Sequence, residues 1–390
     1  MSLIARSFAK INLGLHIGAL RGDGFHELRT LYQTIALHDV IRVSVERGSG
    51  IEIRCQDPRV PRDRSNTCYR IVERAMQALN ACGRVVIEIE KRLPVQGGLG
   101  GASGNAVAAL LALESALKKK LTTAKRLRIA AEVGSDLPLF LIGGTVLGVG
   151  RGEEVYPLPD LPSMPCVVAT PEVAVSTPKA FADWDRLCGA GAPAREQSVG
   201  THDREDDDPA HRRREGTTSS GAESRDRNIR ALAPEGLAEQ SSPRTGEGAR
   251  PHMSSGNSRV LRDAKLTPSA PSDRMLMFSR EISAWLSFRS GVSARGGGRA
   301  ENQLLDLVRT GIENDFERVV FPQYPELRKV KSVLQRAGAQ YASLSGSGSA
   351  VYGLFESREK AAVAANKLTQ SGTRAILTST LTRQQYWKKL

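Results

Sequence analysis

A glycine-rich stretch between residues 91 and 117 constrains this chain more than any other feature. Residues 85–89 are rich in β-branched side chains and predict a strand, while residues 106–117 are dense in alanine and leucine and predict a helix. The glycines at positions 97, 98, 100, 101 and 104 lie between them and allow backbone N–H groups to approach a ligand closely. Ser103 or Asn105 is expected to cap the helix, whose N-terminus then suits a phosphate group.

Two familiar phosphate-binding motifs do not fit this stretch. A P-loop requires a Gly-Lys-Ser/Thr ending, which does not follow here. A dinucleotide fingerprint requires a third glycine at position 103 and an acidic residue about 20 positions on, after the next strand. Position 103 is serine, and Glu114 lies inside the predicted helix. The alternatives are a phosphate-binding loop of another type, which the glycine density favours, and a flexible strand–helix connection.

Length and composition restrict the classes of function that this chain can have. The chain has 390 residues, which suits two domains, and a net charge of +13, which suits a nucleic acid, a membrane surface or an anionic small molecule. Aromatic residues make up only 5% and are not interleaved with basic ones, which argues against RNA binding. The five cysteines form no C-x-x-C pair, no signal peptide is evident, and the longest apolar run, 137–149, is too short to span a bilayer. We therefore expect a soluble cytoplasmic protein.

Alternating apolar residues predict a strand over residues 3–17, broken near Lys10, with Lys10 and Asn12 on the face opposite Ile11 and Leu13. A second strand is predicted over 35–45, after a loop too long for a tight hairpin. Residues 65–79 predict a helix with Ser65 as its N-cap.

Five motifs in this order resemble those of the GHMP small-molecule kinases. The first two are AKINLGLHI with DGFHEL, from residue 9 to residue 28, and PVQGGLGGASGNA, from residue 94 to residue 106; the others span 131–153, 312–327 and 344–355. The resemblance implies an α+β fold of two lobes: an N-terminal ribosomal-protein-S5-like lobe over 1–150 and a C-terminal split-βαβ, ferredoxin-like lobe over 151–390. It also implies an enzyme that transfers the γ-phosphoryl group of ATP, with Mg²⁺, to a small-molecule alcohol. The DGFHEL segment is most similar to kinases whose acceptor is a tertiary hydroxyl on a cytidine diphosphate compound of isoprenoid biosynthesis.

The resemblance implies that Lys10 and Asp136 are the catalytic residues. An alcohol is a poor nucleophile near neutral pH, and Asp136 matches the family aspartate that faces the acceptor hydroxyl. Lys10 matches the lysine beside it, where a cation favours the ionised carboxylate and stabilises developing charge. From the residues alone, an edge-strand lysine and an aspartate in an ordinary turn are the alternatives.

By the same resemblance, ATP binds along the glycine-rich loop, defined here as residues 94–104. The implied ATP contacts are Pro94, Val95, Gln96, Gly97, Gly98, Leu99, Gly100, Gly101, Ala102, Ser103 and Gly104, with Asn66 of the preceding helix, for which helix capping is the alternative. The chain departs from its relatives at Ala102, where glycine is usual, and at Gly104, where a second serine hydroxyl is usual. Because Gly104 lacks that hydroxyl, this chain cannot make any phosphate or metal contact that the hydroxyl makes in the relatives. No carboxylate cluster in the sequence identifies the Mg²⁺ ligands.

The implied substrate contacts are Asn12, Phe25, His26, Tyr32, Thr177, Phe181 and Ser347. Phe25 is expected to stack on the cytosine ring with Phe181 on its other side, while His26 hydrogen-bonds the polar edge; plain packing is the alternative. The serine–glycine loop, residues 345–349 between strands predicted at 339–344 and 350–355, is expected to close the site. A plain hairpin turn is equally compatible with its spacing.

Residues 188–272 are predicted to form a disordered insertion, because they are poor in apolar residues and rich in Gly, Ser, Pro, Arg and Asp. Helices are predicted over 274–288 and within 300–337, and an edge strand over 374–380. We expect a monomer or weak homodimer that binds neither nucleic acid nor membranes. Other enzymes of the same superfamily (homoserine or mevalonate kinase, or the related decarboxylase), a non-catalytic nucleotide sensor and an RNA-binding protein remain alternatives.

Overall fold

Two long antiparallel strands form the centre of the fold. The computed structural model describes residues 2–95, 97–189 and 312–390, and in it β1 (Ser2–Leu20) pairs with β2 (His26–Glu46) along almost its whole length. The predicted break near Lys10 is wrong, because β1 continues through a register shift between Phe8 and Ala9. The predicted long loop is also wrong, because β2 begins nine residues earlier than its apolar pattern indicated. Residues 21–25 make the turn, closed by the hydrogen bond from Arg21 N–H to Phe25 O (2.7 Å).

The first sheet has the strand order β3-β4-β2-β5-β6, with β1 also paired to β2. Its further strands are β3 (Gly50–Cys55), β4 (Arg84–Glu90), β5 (Thr145–Val149) and β6 (Glu154–Pro157). Four helices belong to this part of the chain: α1 (Thr67–Ala78), α2 (Gly101–Leu117), α3 (Thr123–Val133) and α4 (Leu137–Phe140). Helix α2 is alanine- and leucine-rich because it is buried on most of its circumference, against β1, β2 and α1.

The second sheet has the antiparallel order β10-β7-β9-β8. Its strands are β7 (Pro165–Thr170), β8 (Tyr341–Leu344), β9 (Val351–Leu354) and β10 (Arg374–Ser379). The helices are α5 (Thr177–Cys188), α6 (Glu317–Gln323), α7 (Pro325–Arg336), α8 (Arg358–Gln370) and α9 (Arg383–Lys389). With α7 and α8 connecting the strands, this order is the split-βαβ arrangement, so the predicted fold class and the predicted edge strand are both confirmed.

Apolar side chains from both sheets share one core cluster. Ile11 and Leu13 of β1 pack with Val168 of β7 and Tyr352 of β9. The Tyr352 hydroxyl donates to Asn12 O at 2.7 Å, which ties the second sheet to the strand that carries Lys10.

Several predictions concern residues beyond this description. The first two residues of the insertion predicted over 188–272 belong to the end of α5, because Cys188 is its last residue and Gly189 is its C-cap. The rest of that insertion, the helix over 274–288 and the segment 300–311 lie outside the described residues. The lobe boundary at residue 150 stays a prediction, and the first sheet continues to Pro157. Among the described helices, none has both the length and the apolar character that crossing a bilayer requires.

Candidate active site

The glycine-rich loop leads directly into α2. Gly98 and Gly100 have φ values of +72° and +68°, a region that favours glycine. The helix begins at Gly101 and Gly100 is its N-cap, with no side-chain cap hydrogen bond. The predicted caps Ser103 and Asn105 are therefore wrong, because both residues lie inside α2. A helix of 17 residues thus begins beside the loop, and its first N–H groups have no intrahelical acceptor.

A cavity of about 350 Å³ lies in front of this helix N-terminus. The predicted ATP contacts among its lining residues are Asn66, Pro94, Val95, Gly97, Gly98, Leu99, Gly100, Gly101, Ala102 and Ser103. Gln96 lies outside the described residues. Gly104 does not line the cavity: a Cβ there would lie 2.8 Å from Phe8 O and 2.9 Å from Ser7 Oγ, so this glycine allows α2 to approach β1.

Asn66 caps α1 and also lines the cavity. It is the N-cap of α1 in place of the predicted Ser65: its Oδ1 accepts from Cys68 N–H at 2.8 Å. Its Nδ2 donates to Pro61 O at 2.6 Å, so the amide is held in one orientation at the cavity wall.

The cavity lining also includes residues outside the predicted ATP contacts, among them Arg59, Lys91 and Asn105. Lys91 donates to the buried Asp39 Oδ2 at 2.6 Å. Arg59 forms an ion pair with Asp57 at the cavity mouth and lowers the pKa of that carboxyl to about 2. The Asn105 amide is buried, and its Oδ1 has no hydrogen-bond partner among the residues that the structure describes. The two basic residues belong to no sequence motif, and Asn105 is predicted from the sequence as a helix cap.

Lys10 and Asp136 lie side by side, as the resemblance implied. Lys10 Nζ is 3.4 Å from Asp136 Oδ2 and donates to Asn12 Oδ1 at 2.7 Å. The Lys10 side chain is 4% exposed, whereas that of Asp136 is 32% exposed and open to a ligand. The Lys10 backbone N–H donates to Leu99 O at 2.9 Å, which connects β1 to the glycine-rich loop.

Tyr32 contacts Asp136 directly. Its hydroxyl donates to Asp136 Oδ1 at 3.0 Å, and Lys10 Nζ lies 5.4 Å from the centre of its ring. Burial, followed by the charge of Asp136, raises the pKa of Tyr32 well above its usual value, so the phenol remains a donor. Gly148 and Gly152 make room for the ring, because a Cβ on either would approach Tyr32 to 2.5 or 2.6 Å.

The serine–glycine loop closes against the glycine-rich loop. Ser345 Oγ donates to Gly98 O at 3.0 Å, and a Cβ on Gly98 would lie 2.1 Å from Ser345 O. Thr177 and Ser347 hydroxyls are 2.7 Å apart and line a second cavity of about 360 Å³ with Gly98 and Gly348.

The residues predicted to bind the base are arranged differently from the expected sandwich. Phe25 is exposed, with the Arg151 guanidinium 5.0 Å from its ring centre. His26 is buried, its Nε2 lies 3.1 Å from Asp185 Oδ1, and Phe181 stacks on the His26 ring at 5.2 Å. Phe181 therefore covers the histidine in this structure.

Comparisons with known proteins agree with this geometry. Residues 66–144 match the GHMP kinases N terminal domain, and residues 299–374 match the GHMP kinases C terminal description. A protein of Solibacter usitatus (strain Ellin6076) named 4-diphosphocytidyl-2-C-methyl-D-erythritol kinase is 31% identical over 387 residues, covering 98% of this chain and 91% of that protein. One of the same name from Acaryochloris marina (strain MBIC 11017) is 30% identical, covering 92% and 89%. The crystal structure of a 4-(cytidine 5'-diphospho)-2C-methyl-D-erythritol kinase is similar, with a TM-score of 0.59, 25% identity, and coverage of 97% of this chain and 99% of that one.

Proposed function

The chain belongs to the GHMP kinases, in the family of 4-diphosphocytidyl-2-C-methyl-D-erythritol kinases, and we propose that it phosphorylates the tertiary 2-hydroxyl of that compound with ATP. The observation that carries the proposal is the juxtaposition of Lys10 and Asp136, 3.4 Å apart, beside a glycine-rich loop at a helix N-terminus. The reaction belongs to non-mevalonate isoprenoid precursor biosynthesis.

Asp136 accepts the proton of the acceptor hydroxyl. Tyr32 occupies Oδ1, so the Oδ2 atom beside Lys10 faces the incoming alcohol. The ammonium group of Lys10 stabilises negative charge as the oxygen attacks the γ-phosphoryl group. Asn12 orients the ammonium through its 2.7 Å contact, and the Asn12 amide is itself held by donation to Thr30 Oγ1 at 2.8 Å.

ATP occupies the cavity in front of α2, with its phosphates on the loop amides and the first N–H groups of the helix. Mg²⁺ enters with ATP: in such sites the ion usually keeps several waters and is bound by phosphates and one or two carboxylates. Within residues 2–95, 97–189 and 312–390, no three or more His, Cys, Asp or Glu side chains are grouped to hold a metal ion. When bound, the ion would neutralise phosphate charge.

The acceptor occupies the second cavity, where Thr177 and Ser347 supply hydroxyl groups near Gly98. The cytosine ring stacks between Phe25 and Phe181 and bonds to His26. Because Phe181 lies on His26, this mode requires the Phe181 side chain to move when the base binds. We place the reaction in the cytoplasm, since Cys55, Cys68, Cys82 and Cys166 form no disulfide.

The direct test measures ADP release from the full chain with MgATP and the cytidine substrate, beside homoserine and mevalonate. Turnover with the cytidine compound alone is expected. Asp136→Asn should abolish it, whereas Glu88→Gln, an exposed carboxylate on β4, should not. Turnover with homoserine or mevalonate instead would assign another acceptor, and ATP binding without turnover on any acceptor would favour a sensor.

A further inference from the structure

Residues 313–315 run beside the strand that carries Lys10. Leu15 N–H donates to Glu313 O at 3.0 Å, and Asp315 N–H donates to Leu15 O at 2.9 Å. Asn314 lies opposite Leu15, in the motif over 312–327 to which the proposed reaction assigns no part. The backbone of this segment is therefore fixed to β1 on both sides of Asn314.

The Asn314 side chain extends from this anchor to the serine–glycine loop. Its Nδ2 donates to Leu344 O at 2.9 Å and to Gly346 O at 2.8 Å, and its Oδ1 accepts from Phe316 N–H at 3.1 Å. The residue is only 1% exposed. Both amide protons and the oxygen are used, so the side chain has one orientation.

Gly346 of the serine–glycine loop lies close to Lys10. Its φ is +57°, and a Cβ on it would lie 3.5 Å from Lys10 Nζ and 3.6 Å from both Asn12 Oδ1 and Gly98 O. The Gly346 backbone therefore forms the wall over the Lys10 ammonium. A displacement of this wall would alter the position of Lys10 relative to the phosphate-binding loop.

We propose that Asn314 is a positioning residue for phosphoryl transfer, which holds the serine–glycine loop against Lys10 and the glycine-rich loop. This inference rests on the proposed function. Asn314 is not among the described residues that line the ATP cavity or the second cavity. It therefore acts through Gly346. Misplacing reacting groups by about 1 Å can lower a rate about a hundredfold.

Asn314→Asp tests the inference. Aspartate has nearly the same shape as asparagine, but it places a carboxylate oxygen against the carbonyl oxygens of Leu344 and Gly346. We expect kcat to fall roughly ten- to a hundredfold while the KM for ATP changes less than about threefold. Amide hydrogen exchange in residues 344–350 should increase. The control is Glu317→Gln: Glu317 Oε1 accepts from Ser343 Oγ and Leu344 N–H at the same strand end, and its Oε2 pairs with Lys331 Nζ, so this carboxylate holds the strand end but not the Gly346 carbonyl.

An unchanged kcat in Asn314→Asp, or an equal fall in Glu317→Gln, would overturn the inference. If Asn314→Asp does not fold, Gly346→Ala perturbs the same contact with Lys10 from the loop side and should lower kcat to a similar degree. A retained kcat in Gly346→Ala would also overturn the inference. If the wild-type chain shows no turnover, the proposed function fails. Unchanged hydrogen exchange in Asn314→Asp would separately refute the structural role.

Discussion

Replacing Asp39 with asparagine tests how strongly the glycine-rich loop depends on one buried carboxylate. Asp39 is fully buried, and its Oδ1 accepts from the N–H groups of Arg92 and Leu93, both at 2.7 Å. Its Oδ2 accepts from Lys91 Nζ at 2.6 Å, and the Lys91 side chain is only 10% exposed. Asparagine keeps an oxygen for the two amides but places an NH₂ group against the ammonium, so Lys91 loses its buried counter-charge.

The expected size of the effect follows from burial. Removing one partner of a buried ion pair costs about 3–5 kcal/mol, whereas exposed pairs contribute roughly 0–1 kcal/mol. The exposed pair between Arg42 and Glu90, 3.4 Å apart on neighbouring strands, provides the control. We expect Asp39→Asn to lower the free energy of unfolding by about 3 kcal/mol, and Glu90→Gln by less than about 1 kcal/mol.

Urea unfolding of both variants, followed by tryptophan fluorescence, measures this difference. Because Lys91 lines the cavity assigned to ATP, Asp39→Asn should also raise the KM for ATP, while Glu90→Gln should leave it unchanged. If the free energy of unfolding falls by the same amount in both variants, and by less than about 1 kcal/mol, the reasoning is refuted. The buried pair of Asp39 and Lys91 would then contribute no more than a surface pair.

Three other predictions follow from particular contacts. Gly98→Ala should lower kcat/KM at least about tenfold, because its Cβ would lie 2.1 Å from a carbonyl of the serine–glycine loop; steady-state kinetics measures this. Gly104→Ser introduces the serine that the family resemblance implies at this position, yet it should destabilise the chain by about 1–3 kcal/mol in urea unfolding without tightening ATP binding, since its Cβ would meet Phe8 O at 2.8 Å. Burial raises the pKa of Tyr32 and Tyr352 in the folded chain, so above pH 10 the unfolded chain releases protons that the folded chain retains. Stability should therefore fall as the pH rises above 10, and urea midpoints between pH 8 and 11 measure it.

The sequence predicted the local elements of the site better than its long-range contacts. Residues 85–89 and 106–117 lie within β4 and α2, since β-branched runs and alanine-rich segments report local preference directly. The proximity of Lys10 and Asp136 followed from the family resemblance, not from their spacing. Neither residue has a pattern of its own that separates it from an ordinary surface charge.

The errors concern places where tertiary contacts replace local patterns. The first half of β2 was missed because buried polar residues interrupt its apolar alternation. Thr30 and Gln33 are fully buried and are satisfied by Gly14 O and by Leu381 O, partners distant in the sequence. Ser65 was expected to cap α1 because serine is a common N-cap, yet Asn66 takes the position, and its amide also bonds to Pro61 O.

Contacts between two backbones leave no apolar or charged pattern in a sequence. Gly98 and Ser345 are 247 residues apart, yet a Cβ on Gly98 would collide with the Ser345 carbonyl. A Cβ on Gly100 would lie 3.0 Å from Lys10 Cγ, and one on Gly346 3.5 Å from Lys10 Nζ. A glycine indicates that something passes close to the backbone, but it does not identify the partner. The sequence can therefore identify each glycine loop, whereas only the folded chain shows that both loops pack around Lys10 and determine where its ammonium lies.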